Sequence, residues 1–136
     1  MEYHYLIEGE TPAKKNSKIR TRTGYMIPSA AHQKWHQDAI LQLHGQISRM
    51  RKQPEPIEYP VQIILQFFHG DMVRRDSDNQ ASSIMDLLQD AKLLADDRWQ
   101  IVRILTIYNH YDKGHARCEI DIKPLETTIE EGRISA

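Results

Sequence analysis

The stretch VQIILQFFH, residues 61–69, limits the folds open to this chain more than any other segment. Val61, Ile63, Leu65 and Phe67 fall on one side of it, and Gln62 and Gln66 on the other. Side chains alternate sides only in an extended strand, so the segment is a β-strand with one apolar face. Two further segments carry apolar residues at helical spacing. Trp35, Ala39, Ile40, Leu43, Ile47 and Met50 form a stripe opposite Gln33, Lys34, Gln37, Gln42 and Gln46. This predicts an amphipathic helix from an N-cap at Ser29 to about Met50, with Gly45 its weak point. Ala81, Ile84, Leu87, Leu88 and Ala91 make the stripe of a second helix, expected over 79–91.

The remaining segments complete the order. YHYLIEG (3–9) reads as a strand ending at Gly9, and the proline-punctuated QPEPIEYP (53–60) as a connector. WQIVRILTIY (99–108) is apolar on both faces, which predicts a central strand. Asn109 to Gly114 reads as a turn, and ARCEIDI (116–122) as the returning strand of a hairpin. The basic segment 14–22 is expected to be an irregular loop, with YMI after Gly24 a short strand. Strand, helix, strand, helix, strand, strand implies an α+β fold, a mixed sheet packed against two main helices. It is expected to occupy residues 1–124, with a polar, frayed tail at 125–136.

Composition agrees with one globular domain: 136 residues, 40 % hydrophobic and 27 % charged. No apolar run approaches the roughly 20 residues of a membrane span. The amino terminus lacks the pattern of a signal peptide, and the lone Cys118 allows no internal disulfide, so a cytoplasmic location is expected. Net charge is −1, but it is unevenly spread. Lys14, Lys15, Lys18, Arg20 and Arg22 cluster without an acid among them, which suits local contact with phosphates.

The acids gather around the second helix. Asp76 and Asp78 stand two residues apart, and in an extended loop their side chains would leave on the same side. Asp97 lies beyond the helix. A helix over 79–91 moves away at about 1.5 Å per residue, roughly 20 Å in all. The six residues from Lys92 to Asp97 can return at most about 3.3 Å each, again roughly 20 Å. The closure is therefore feasible but tight. Converging carboxylates about 4 Å apart repel by about 4 kcal/mol per pair at an effective dielectric of 20, which a cation would relieve. Carboxylates without Cys or His partners select hard ions such as Mg²⁺ or Mn²⁺. Spacing alone equally allows Asp78 to be a helix N-cap and Asp76 a turn residue. A calcium EF-hand is excluded, because Ala81 and Leu87 stand where its glycine and bidentate glutamate belong. Ser82 and Ser83 lack the setting of a nucleophile elbow. Trp35 reads as core, whereas Trp99 is as well placed to stack on a base.

Arg75-Asp76-Ser77-Asp78-Asn79, then Asp86, then Asp96-Asp97 before a strand, resembles the pattern of the RusA-type Holliday junction resolvases. IEGETPAKKNSK and GYMIPSAAHQKWHQDA resemble that family's first strand with its basic loop and the start of its first helix. The resemblance implies a homodimeric endonuclease that binds four-way DNA junctions and cuts two strands symmetrically with Mg²⁺, for which Mn²⁺ can substitute. Asp76, Asp78 and Asp97 would be its catalytic, metal-binding acids, and Arg74, Arg75 and the 14–22 arm its DNA contacts. One departure stands out: well-known members carry a functional lysine where this chain has Ser82. A basic residue from elsewhere, with Lys14, Lys15 and Lys18 as candidates, could replace it. The alternative is a junction-DNA-binding protein with weak or no cleavage. A third reading is a prophage interaction module whose acids are merely caps and turns.

Overall fold

The structure is a computed structural model describing residues 1–14, 18–128 and 133–135. The alternating segment forms strand β4 (Val61–His69), and Val61, Ile63, Leu65 and Phe67 are buried as the pattern requires. β4 lies inside a four-stranded sheet with β1 (Tyr3–Glu8), β5 (Val102–Tyr111) and β6 (Arg117–Pro124), ordered β1-β6-β4-β5. β6 runs antiparallel to both its neighbours, while β5 runs parallel to β4, so the sheet is mixed. Two helices, α1 (Ala30–Ser48) and α2 (Ser77–Asp90), cover its apolar face. Ala39 and Leu43 of α1, and Ile84, Leu87 and Leu88 of α2, share one core with Ile7, Leu65, Phe67 and Ile120. The α+β architecture is as expected.

α1 forms as its sequence dictates. Ser29 caps it, with Oγ accepting from His32 N at 3.2 Å, and the helix runs through Gly45 unbroken. Two of its polar residues have an unexpected task. Gln46 Oε1 accepts from Leu6 N at 2.9 Å while its Nε2 donates to Leu6 O at 2.7 Å. Gln42 Oε1 accepts from Glu8 N at 2.7 Å. β1 is an edge strand, and these glutamines satisfy backbone groups that an edge otherwise presents to another chain.

Four expectations are corrected. β5 is an edge strand, not a central one, and Leu105 and Tyr108 remain 41 % and 51 % exposed. β5 and β6 do not form a hairpin either: β6 crosses the end of β4 and pairs on its far side. The crossing is held where Asp112 N donates to His69 O at 2.9 Å and Gly114 N to Gly70 O at 3.0 Å. Gly70 permits this approach, since a Cβ there would sit 3.3 Å from Ala116 N. Between β1 and β4, β6 has both edges bonded and Cys118, Ile120 and Ile122 buried, which a hairpin with β5 would leave half satisfied. Finally, the basic arm is partly ordered. β2 (Lys18–Arg20) pairs with β3 (Met26–Pro28) across a turn containing Gly24 at φ 87°. In the tail, β7 (Glu126–Thr128) pairs with β8 (Arg133–Ser135) where fraying was expected.

Cys118 is fully buried in β6, and desolvation pushes its thiol pKa well up. The thiolate is the reactive form, so the native protein should resist thiol reagents. Labelling with an aromatic disulfide reagent is expected to give no signal without denaturant and one thiol per chain in urea.

Candidate active site

Two pieces of chain build the site. The first is the start of α2. The helix begins at Ser77, earlier than expected, which makes Asp76 its N-cap and places Asp78 in its first turn. An extended loop would aim both carboxylates the same way, but a helix rotates about 100° per residue and turns neighbours two apart to different sides. The Asp76 backbone carbonyl accepts from Asn79 N and Gln80 N, yet its carboxylate makes no cap hydrogen bond. Its charge is left for other partners.

The second piece is the return from α2 to β5. Leu93 and Leu94 turn inward and are buried, with Lys92 at φ 63° making the bend. The connector pins this return: Ile57 N donates to Leu93 O at 3.1 Å and Ala95 N to Ile57 O at 3.0 Å. Asp96 Oδ1 accepts from Arg98 N at 3.1 Å, closing the turn that presents Asp97.

The two pieces meet across a cleft of about 190 Å³. Its polar rim comprises Lys14, Asp78, Ser82, Asp86 and Asp97, and Met85, Leu105 and Ile107 supply the apolar side. Asp78 and Asp97 thus share one cleft despite their separation in sequence. Asp76 is not among the residues lining it. Among the described residues, no group of three or more His, Cys, Asp or Glu side chains is close enough to hold a metal ion together. The donor chemistry nonetheless fits a hard divalent ion. Magnesium is commonly held by one or two carboxylates with water and substrate phosphate completing its shell. Asp78 and Asp97 are the residues of the cleft that would hold it.

Asp86, part of the acidic pattern but not among the expected metal acids, also lines the cleft, and Lys14 Nζ lies 2.8 Å from its Oδ2. Other expected phosphate contacts are distributed unevenly. Arg75 is engaged by Asp71 at 2.6 Å and by Glu10 at 3.4 Å. Its hydrogen bond holds the Asp71 carboxyl below its usual range. Arg20, Arg22 and Arg74 are exposed. Lys15 lies outside the described residues, as does the side chain of Lys18. Trp99 is 67 % exposed, with the Arg103 guanidinium 5.3 Å from its ring centroid. Trp35 is partly buried against the core, as expected.

Glu10 is another residue the pattern does not reveal. It accepts from Gln80 Nε2 at 2.8 Å and from His69 Nδ1 at 3.0 Å, tying the exit of β1 to α2 and β4. His32 and His36 stack on α1 with ring centroids 6.4 Å apart, and His36 Nε2 meets Asp90 Oδ2 at 2.8 Å. These line an adjoining groove between the helices, which shares Asp86 with the cleft.

An α+β layer whose open cleft is rimmed by Asp78, Asp86, Asp97 and Lys14 carries the charges that phosphodiester chemistry uses, and the class it points to is the nucleases. The chain matches the family model described as Endodeoxyribonuclease RusA over residues 8–123, nearly its whole length, and it belongs to that family. Membership implies endodeoxyribonuclease activity of the Holliday junction resolvase kind. No curated protein matches the chain. Among the described residues no helix is long and apolar enough to cross a membrane.

Proposed function

We propose that this chain is a divalent-metal-dependent endonuclease that resolves four-way DNA junctions by paired nicking as a homodimer. The observation that carries the proposal is the meeting of Asp78 and Asp97 in one cleft, from opposite ends of α2. Those two carboxylates would hold Mg²⁺ or Mn²⁺. Asp76, whose carboxylate is not engaged in capping, is kept as the third acid. When bound, the ion supplies charge stabilisation at the phosphoryl oxygens and lowers the pKa of water. The chain's own residues position the substrate. Arg20, Arg22 and Arg74 are exposed for backbone phosphates, so junction binding should weaken steeply with salt. A two-fold dimer presents two clefts to a substrate that must be cut twice.

The test is a synthetic four-way junction incubated with the protein and Mg²⁺. Symmetric paired nicks that disappear on chelation are expected. A junction left intact with both Mg²⁺ and Mn²⁺ counts against the assignment. One observation favours a second reading, a junction-binding protein that cuts weakly. Ser82 faces the cleft with a neutral hydroxyl, and its Oγ donates to Asp78 O at 3.2 Å. Retarded junction on a gel without metal-dependent nicks would select that reading.

A further inference from the structure

Residues 11–14 leave β1 and lie along one face of α2, and polar side chains fasten them there. Gln80 Nε2 donates to Thr11 O at 2.7 Å, and Ser83 Oγ to Pro12 O at 2.7 Å. Gln80 and Ser83 are buried, at 1 % and 0 % exposure. Lys14 N donates to Asn79 O at 3.2 Å, and the Lys14 ammonium meets Asp86 at 2.8 Å. Asn79, Gln80, Ser83 and Asp86 recur at the spacing of one helical face. The helix therefore holds this segment at four points, at Thr11, at Pro12 and twice at Lys14, the last being the ammonium itself.

That ammonium projects into the acidic cleft, whose rim has no other Lys, Arg or His among the described residues. Both members of the pair are about two-fifths exposed, at 42 % and 38 %. An ion pair so open to water contributes little to stability. A strap secured through buried polar side chains is more than such a weak pair requires. Lysine also has three N–H donors, so binding Asp86 leaves others free for a phosphate oxygen.

We infer that Lys14 is the cation of the cleft that contacts the scissile phosphate, and that Asp86 is its positioning residue rather than a metal ligand. The inference rests on the nuclease reading above and assigns residues within its site. Lys14 approaches the cleft from the strap, while Ser82 lines it from α2, so a lysine at position 82 could bring an ammonium to the same space. Asp86 directs the Lys14 ammonium and, being neutralised by it, does not compete for the ion.

The experiment combines nicking of a synthetic junction with Mn²⁺ calorimetry and metal-free junction binding. Lys14→Met is expected to slow nicking by about 100-fold, the scale of losing one preorganised charge-stabilising group, while metal-free binding weakens less than about tenfold. Adding Ser82→Lys to that variant should restore nicking to within about tenfold of wild type, a rescue that a merely structural role for Lys14 would not allow. Asp86→Asn is expected to weaken Mn²⁺ binding by less than about tenfold, because the ammonium it frees repels the ion but no ligand is lost. Wild-type nicking by Lys14→Met, no rescue by the double variant at unchanged melting temperature, or a tenfold loss of Mn²⁺ affinity in Asp86→Asn would each overturn the inference. If the wild-type chain itself leaves junctions intact, the nuclease reading fails separately, and calorimetry still decides this one. Lys14→Met should then bind Mn²⁺ about tenfold more tightly by releasing the Asp86 carboxylate, and unchanged or weaker binding would refute the pairing.

Discussion

Asp97→Asn is expected to lower junction nicking by about a thousandfold while leaving metal-free junction binding intact or tighter. Asp97 is exposed in the turn before β5, so the amide should leave the fold undisturbed. It does remove half of the carboxylate pair that rims the cleft with Asp78. Loss of a negative charge near DNA phosphates favours binding, whereas loss of a ligand to the ion impairs only the cut. Asp76→Asn is expected to be comparably damaging for a different structural reason. An N-cap aspartate ordinarily contributes about 1 kcal/mol by accepting from the first-turn amides, and the Asp76 carboxylate makes no such bond. The substitution should therefore leave the melting temperature unchanged or slightly raised, with nicking abolished. Junction nicking and thermal unfolding of both variants, measured side by side, check this. Undiminished nicking by Asp97→Asn would remove Asp97 from the active site.

The largest effect on stability is expected at Phe67. This ring is 1 % exposed near the end of β4, in register with Asn109 of β5 and Cys118 of β6. Phe67→Ala should cost about 3–5 kcal/mol, combining lost apolar burial with the cavity left behind. Domains of this kind have only about 5–15 kcal/mol in total, so urea unfolding should show a midpoint shifted far toward zero. Trp99→Ala is the control. Trp99 is larger, but at 67 % exposure, with the Arg103 cation over its ring, it should change stability by no more than about 0.5 kcal/mol. A Phe67→Ala midpoint close to that of wild type would mean that the core at the end of β4 is looser than its burial indicates.

Much of the architecture could be read directly from residue order. The period-two pattern of 61–69 and the apolar stripes of both helices depend on side chains a few positions apart, and local sterics decide such patterns. β4, α1 and α2 consequently formed over nearly the residues expected. The acids around α2 were equally visible, because their types and spacing are themselves the signal. Strand neighbours were not visible. The segment 99–108, apolar on both faces, suits the inside of a sheet, yet its place beside β4 left β5 at the edge once β6 had filled the other side. The glutamines of α1 seemed destined for solvent until an unpaired strand edge came within their reach.

The amino-acid order by itself determined which segments extend, which coil, and which carry carboxylate or ammonium groups, since these follow from chemistry within a few residues. Only the tertiary structure decided that Asp97 shares a cleft with Asp78, that Asp76 is not among the residues lining it, and that Lys14 reaches Asp86. Those meetings depend on where the chain closes on itself, and a closure over tens of residues is set by the packing of the whole core rather than by any local preference.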